Sequence, residues 1–338
     1  MTDRELLFAL TQPSGVAGNE LEASTAAQAI FSETCDATID HNGNMLAVLK
    51  NQPTKPEVHV LLDAHVDEIG MIVTGILDDG FITCARVGGV LGRSLLGAEV
   101  LIHGKETVYG VVGATPPHLQ PADEAKVTDP EKVMIDTGYT KEQLEGKVAL
   151  GDFISFIGKG GTLLNERLIS KAMDDRACCA ILAKTAQRLA ADPPACKVTF
   201  ACTVKEETSS QGAATAAFAV APTIAVALDV TGAIEPGSSS KVHAAIGSGP
   251  AIGIAPALNR GIFEKLKAVA EENGIEYTIE VMGGHTRTNA EAIANSRGGV
   301  PTGLISLPLR YMHTPGEVCA ESDLRACADL LAAYVRTL

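Results

Sequence analysis

The chain has 338 residues, a formal net charge of −14, 46% hydrophobic residues and 4% aromatic residues with no Trp. That length exceeds one ordinary core and suggests two domains. The acidic balance argues against phosphate-backbone binding, and the scarcity of aromatics argues against a stacking platform for single-stranded nucleic acid.

The opening Met1-Thr2-Asp3-Arg4-Glu5 is charged and no apolar segment follows it, so no secretory signal is read there. The longest apolar stretch, 212–228, is rich in Ala and interrupted by Pro222; it reads as helix, turn and strand rather than a membrane span. A cytoplasmic location follows as the expectation. With it, the eight cysteines, none in a C-x-x-C pair, are expected to be buried free thiols.

In chain order, helices are predicted over 5–12 and 20–32, the first stopped by Pro13-Ser14-Gly15. Asn42-Gly43 between two apolar runs signals a hairpin, and 58–62 reads as a strand buried on both faces, ending in Asp63-Ala64-His65-Val66-Asp67. From 70 the texture becomes short strands (71–76, 81–86, 99–103, 108–113) broken by Gly, Pro and Asp, with one short helix at 141–145, the pattern of a small all-β barrel or sandwich. Helix–strand alternation returns after 167. Helices are predicted at 175–190, 212–219, 261–273, 290–295 and 323–336, and strands at 197–204, 224–228, 276–281 and 303–307. The fold class is therefore α/β, a central mixed sheet flanked by helices, with an inserted all-β barrel-like domain. The division is 1–69 plus 163–338 for the α/β catalytic domain and 70–162 for the insertion.

Acids and histidines fall at strand ends in five places: His65-Val66-Asp67, Met173-Asp174-Asp175-Arg176, Lys205-Glu206-Glu207, Asp229 and His313. Ligands of open α/β sheets bind at the carboxyl ends of strands, and carboxylates gathered there repel one another unless cations sit between them. His65, Asp174, Glu207, Asp229 and His313 form a ligand set for two divalent ions, with Zn²⁺ favoured and Co²⁺ or Mn²⁺ compatible. Their three negative charges against four positive ones leave room for a bridging hydroxide, the nucleophile at neutral pH. Glu206, read as pointing away from Glu207 along the strand, is the expected general base. Asp67 is expected to share a strand face with His65 and to accept its second imidazole N–H.

These segments together resemble the tetrahedral aminopeptidases, the glutamyl aminopeptidase family of dinuclear metallopeptidases, over nearly the whole chain. The likeness rests on Asp63-Ala64-His65-Val66-Asp67-Glu68-Ile69-Gly70, Lys171-Ala172-Met173-Asp174-Asp175-Arg176, Glu206-Glu207, Ala227-Leu228-Asp229-Val230-Thr231, Gly247-Ser248-Gly249-Pro250 and Pro308-Leu309-Arg310-Tyr311-Met312-His313-Thr314-Pro315. Pro117-His118 and Ile135-Asp136-Thr137-Gly138 match its inserted β domain. The resemblance implies His65 and Asp229 on one metal, Glu207 and His313 on the other, Asp174 bridging, and Asp67 with Glu206 as the catalytic pair. It also implies a cis peptide between Asp174 and Asp175, short peptides with a free N-terminus as substrates, and dimers joined into a tetrahedral dodecamer through the inserted domain.

Two segments depart from the family pattern. Thr208-Ser209-Ser210-Gln211 follows Glu-Glu, and Thr288-Asn289-Ala290 replaces Thr-Asp-Ala, which is read as an amide in place of a carboxylate near the substrate, with Arg287 beside it. Arg287 could attract an acidic substrate side chain, or be a solvated loop arginine. The competing readings are a deacylase or carboxypeptidase using the same centre, and a catalytically idle assembly protein on the same fold. Polysaccharide hydrolysis is disfavoured, because its paired carboxylates need no histidines.

Overall fold

The structure is a computed structural model that describes residues 1–51, 53, 56–114, 132–238 and 244–338. Pro117-His118 lies outside the described residues. The chain opens with α1 (Asp3–Thr11), capped by Thr2 and Glu5 in a reciprocal capping box, and α2 (Leu21–Phe31). Then come β1 (Cys35–Ile39), β2 (Met45–Leu49) and β3 (His59–His65). A six-stranded closed barrel follows, from β4 (Gly70–Ile76), β5 (Ile82–Val87), β6 (Glu99–His103), β7 (Thr107–Val112), β8 (Met134–Asp136) and β9 (Phe153–Phe156), in the order β4-β5-β8-β7-β6-β9. It carries the short helices α3 (Gly92–Leu95) and α4 (Lys141–Leu144) and has its own core, centred on Met71, Val100, Ile102, Ile135 and Ile154. Closure leaves the barrel no free edge.

The chain returns through β10 (Gly161–Leu163) and β11 (Arg167–Ser170) to α5 (Met173–Ala191), β12 (Lys197–Thr203), α6 (Glu206–Ser209), α7 (Gln211–Val220) and β13 (Ile224–Gly232). It closes with β14 (Ala251–Ile254), α8 (Arg260–Glu272), β15 (Thr278–Val281), α9 (Asn289–Ala294), β16 (Thr302–Leu309), β17 (Glu317–Ala320) and α10 (Glu321–Val335). Eight strands form one mixed sheet in the order β1-β2-β12-β3-β13-β16-β14-β15, with β12, β3, β13 and β16 mutually parallel; β10, β11 and β17 make a small antiparallel sheet.

The central strands alternate between two apolar layers. Val60, Leu62 and Ala64 of β3 join the core under α1, α5 and α10, while Leu61 joins the smaller core of Ala213, Ala217, Ala290 and Ile293 from α7 and α9. A strand covered on both faces is apolar toward both, which is why Val60, Leu61 and Leu62 are buried in succession; the polar residues of β3 are His59 at its start and Asp63 and His65 near its end. The same alternation puts Asp63 and His65 on the α7/α9 face, together with Thr203, Asp229, Thr231 and Ser306 of the neighbouring strands. All eight cysteines are free and buried. No helix among the described residues is long and apolar enough to cross a membrane.

Several elements differ from the sequence-based expectation. β8, β9, β10, β11, β14 and β17 were not anticipated, being three- or four-residue strands without enough positions to show a period. Glu206 is not on a strand: β12 ends at Thr203 and the chain turns into α6.

Candidate metal centre and active site

The site is assembled at the carboxyl ends of the parallel strands. β3 delivers His65, and β13 delivers Asp229. Asp174 and Asp175 sit at the start of α5 with non-helical backbone and a cis peptide between them, as the family resemblance implies. Glu206 and Glu207 open α6, and His313 lies in the loop between β16 and β17.

Asp174 is the centre of this arrangement. Its Oδ1 is 3.1 Å from His65 Nε2, and its Oδ2 is 3.1 Å from His313 Nε2. His313 Nε2 is also 3.3 Å from Glu207 Oε1, and Glu206 Oε2 stands 3.9 Å from His65 Nε2. Candidate ligand atoms of His65, Asp174 and Glu207 lie within 4.8 Å of one another, as do those of His65, Asp175 and Asp229. Thus all five residues read as ligands from the sequence come together, and Asp175 joins them.

The electrostatics are those of an acid cluster awaiting cations. Burial, reinforced by Asp175, raises the Asp229 carboxyl well above its ordinary range, and its Oδ2 has no hydrogen-bond partner. Burial also raises Glu206 to about 7. Against burial, hydrogen bonds from His313 and His65 hold Asp174 low, and the same bonds carry both histidines upward, His313 to about 11. A buried carboxylate oxygen left bare is costly, and two imidazoles with three carboxylates are borderline and hard donors suited to divalent transition ions. The residues present fit such ions.

Asp67 does something other than the sequence suggested. β3 ends at His65, so Asp67 is past the strand; its backbone carbonyl lies 3.1 Å from His65 Nδ1, whereas its carboxylate is farther, at 3.6 Å. That carboxylate instead accepts the backbone N–H groups of Glu206 and Glu207, at 3.0 and 3.1 Å. Lys205 adopts a left-handed φ of 61°, which starts a tight helical turn. On such a turn both consecutive glutamates reach the cleft, so the strand-like divergence expected of Glu206 does not occur. Asp67 is the group that caps the turn and aims them.

Asn289 also needs correction. It is 1% exposed and does not line the cleft, although its neighbours Thr288 and Glu291 do. Its amide donates to Asp63 Oδ2 and Thr203 Oγ1, both at 2.9 Å, and Thr203 Oγ1 donates to Asp63 Oδ1 at 2.9 Å. Asp63 shares a strand face with His65, so this network ties the strand beneath the metal centre to α9.

Two contributors escaped sequence reasoning. Glu317, buried on β17, accepts the backbone N–H of Asp174 at 3.0 Å and of His313 at 2.8 Å, linking two ligands from distant segments. Its position four residues after His313 was the available signal, but a lone Glu in a loop carries none by itself. The other is the barrel's Gly88-Gly89. Gly89 O lies 3.0 Å from His313 Nδ1, and a Cβ at Gly89 would meet that nitrogen at 2.5 Å. Only glycine lets the barrel approach the ligand this closely.

The ligands open into a cleft of about 790 Å³ whose walls include Thr208, Ser209, Ser210, Glu280, Arg287 and Met312. A cleft lined by perturbed acids, with His313 in its wall and His65 buried against Asp174, is a candidate site for metal-assisted chemistry.

Residues 43–330 match the M42 glutamyl aminopeptidase family. The chain belongs to that family. The aminopeptidase is 30% identical to the lysyl aminopeptidase of Pyrococcus furiosus over 345 residues, covering 100% of this chain and 98% of that one. Among solved structures, an aminopeptidase from the archaeon Desulfurococcus kamchatkensis superimposes with a TM-score of 0.92 at 32% identity, covering 99% and 95% of the two chains. The TET1 peptidase of Pyrococcus horikoshii, described as assembling into a tetrahedron or a large octahedral shell, gives 0.87 at 30% identity with 100% coverage of both. The resemblance read from the motifs and the α/β fold with its inserted barrel both agree with these relatives.

Proposed function

We propose that this aminopeptidase removes N-terminal residues from short peptides with two divalent ions held by its own side chains. His65 and Asp229 would hold one ion, Glu207 and His313 the other, with Asp174 shared. The single observation that carries this is the Asp174 carboxylate with one oxygen on each of two imidazoles, 3.1 Å from both. Zinc is the favoured ion, with cobalt or manganese acceptable to the same donors. When bound, the ions polarise the scissile carbonyl and activate water.

The chain's own residues supply the rest. Glu206 lines the cleft with its carboxylate 3.9 Å from His65 Nε2, the placement of a group that takes a proton and returns it. From there it would take a proton from water and pass it to the leaving amine. Asp67 fixes the turn that carries Glu206, and the Asp67 carbonyl fixes the His65 ring. Glu317 and Gly89 do the same for Asp174 and His313.

The barrel is proposed as the dimerisation module, with residues 70–162 inserted into a catalytic domain of 1–69 plus 163–338. Tyr109, Val111 and Met134 leave an apolar outer wall on it at 54%, 38% and 45% exposure. A tetrahedral dodecamer of such dimers and a cytoplasmic location are part of the proposal; the assembly is supported by the Pyrococcus horikoshii relative, described as forming a tetrahedron or a large octahedral shell. Light scattering of the purified protein checks this; a monomer would refute it.

The catalytic reading is tested with a panel of aminoacyl-anilides after chelation and re-addition of Zn²⁺, Co²⁺ or Mn²⁺. Unblocked substrates should be cleaved and N-acetylated ones ignored. Cleavage of the blocked set would favour the deacylase reading, and no turnover with any ion would favour an idle assembly protein.

A further inference from the structure

We infer that Glu280 selects cationic N-terminal residues, lysine or arginine, in the cleft beside the metal centre, an inference that rests on the aminopeptidase reading above. Glu280 lies on β15 at the edge of the sheet, half-buried, and lines the same cleft as Asp174, Asp229 and Glu206. Its two oxygens are each held by one hydroxyl: Thr231 Oγ1 donates to Oε1 at 2.6 Å, and Ser306 Oγ donates to Oε2 at 2.7 Å. Among the described residues no Lys, Arg or His pairs with it, although a carboxylate offers about four acceptor positions and only two are used here.

The register locates this carboxylate relative to the chemistry. Ser306 is the direct partner of Asp229 across the parallel β13–β16 pair, and Thr231 is two residues beyond Asp229 on the same face. Neighbouring strands are about 4.8 Å apart, so the carboxylate held by these two hydroxyls stands about one to two strand spacings from the ligand Asp229. A substrate whose terminal amine and first carbonyl are at the metal centre would direct its first side chain along this distance. The four-carbon stem of lysine spans it with an ammonium at the end. Met282 and Met312, half-buried in the cleft walls, offer apolar surface for the stem.

Arg287 is the competing charge in the cleft. It is exposed, so water and salt screen it, whereas Glu280 is held in place by two hydroxyls and partly desolvated. The carboxylate dominates recognition on that ground.

The experiment compares kcat/KM for lysyl-, leucyl- and glutamyl-anilides in the metal-loaded wild type and in Glu280→Gln, which keeps one acceptor oxygen and nearly the same shape. A charge-assisted hydrogen bond of this kind is worth about ten- to a hundredfold in selectivity. Wild type should favour lysyl over leucyl by that factor, and Glu280→Gln should lose most of the ratio through KM. A residue that merely tethers β15 would change both substrates alike. Calorimetric binding of free lysine against norleucine, which lacks the ammonium, gives a readout that needs no turnover. If no anilide is cleaved, the aminopeptidase reading fails while lysine binding still decides the role of Glu280. A wild-type preference for glutamyl substrate, or a lysine-to-norleucine ratio unmoved by Glu280→Gln, overturns the inference.

Discussion

Replacing Gly89 by alanine adds one methyl group at the contact between barrel and catalytic sheet. The added Cβ would lie 2.5 Å from His313 Nδ1 and 2.6 Å from its Cε1, and ordinary contact begins near 3.4 Å, so the ring must retreat by about 1 Å. Gly89 does not have a left-handed backbone, so the substitution is sterically directed at the histidine and little else. Overpacking of this kind costs about 1–3 kcal/mol of stability, and a 1 Å displacement of a group at the reacting centre costs about a hundredfold in rate. Disturbed support of a metal-ligating histidine lowers metal affinity by about ten- to a hundredfold. The assay is a metal titration of chelated protein, followed by kcat/KM and urea unfolding of the same samples. Gly298→Ala is the control, because a Cβ there meets nothing within 4 Å; it should stay within about 0.5 kcal/mol of wild type. Wild-type metal affinity and rate in Gly89→Ala would refute the placement of His313 against the barrel.

Further expectations concern the groups around the metal centre. Glu206→Gln should lose about a hundred- to ten-thousandfold in kcat while binding metal normally, as measured by turnover alongside metal content; unchanged turnover removes Glu206 from the reaction. Asp67→Ala strands two backbone N–H groups of the α6 turn, at about 1–3 kcal/mol each, and should lower both the unfolding midpoint and kcat. Asn289→Asp would set two carboxyls against each other beneath the sheet, where burial already raises Asp63 to about 6, and should destabilise the protein increasingly from pH 5 to pH 8 in urea unfolding. Chelated wild type should also lose stability over that range. Glu206, Asp229, His65 and His313 all have raised folded pKa values, so each contributes stability present at low pH and lost as pH rises towards that value. Thermal melts should show added Zn²⁺ restoring most stability at pH 8; equal melting temperatures at pH 5 and pH 8 after chelation would contradict the acid-cluster reading.

The sequence by itself determined the layer plan and picked out the residues that the fold gathers at one site. The largely apolar run before His65, the helix–strand alternation after 167 and the short Gly-broken segments between them specify an α/β sheet with a β insertion. Acids and histidines at the ends of predicted elements pointed to His65, Asp174, Glu207, Asp229 and His313 as candidates, because ligands of open α/β sheets bind where loops leave the carboxyl ends of strands. Only the tertiary structure decided how these groups are held. Whether Glu206 diverges from Glu207 depended on a left-handed Lys205 and a cap supplied by Asp67, from a segment 139 residues away in the chain. Asn289 proved to be a buried support because Asp63 and Thr203 wait for it on adjacent strands. Glu317, Gly89 and Glu280 meet partners brought close by the closed barrel and the sheet order. Local pattern reports what each segment buries; it does not report which distant backbone donor or hydroxyl will stand within 3 Å, since that distance is set by the packing of the whole chain.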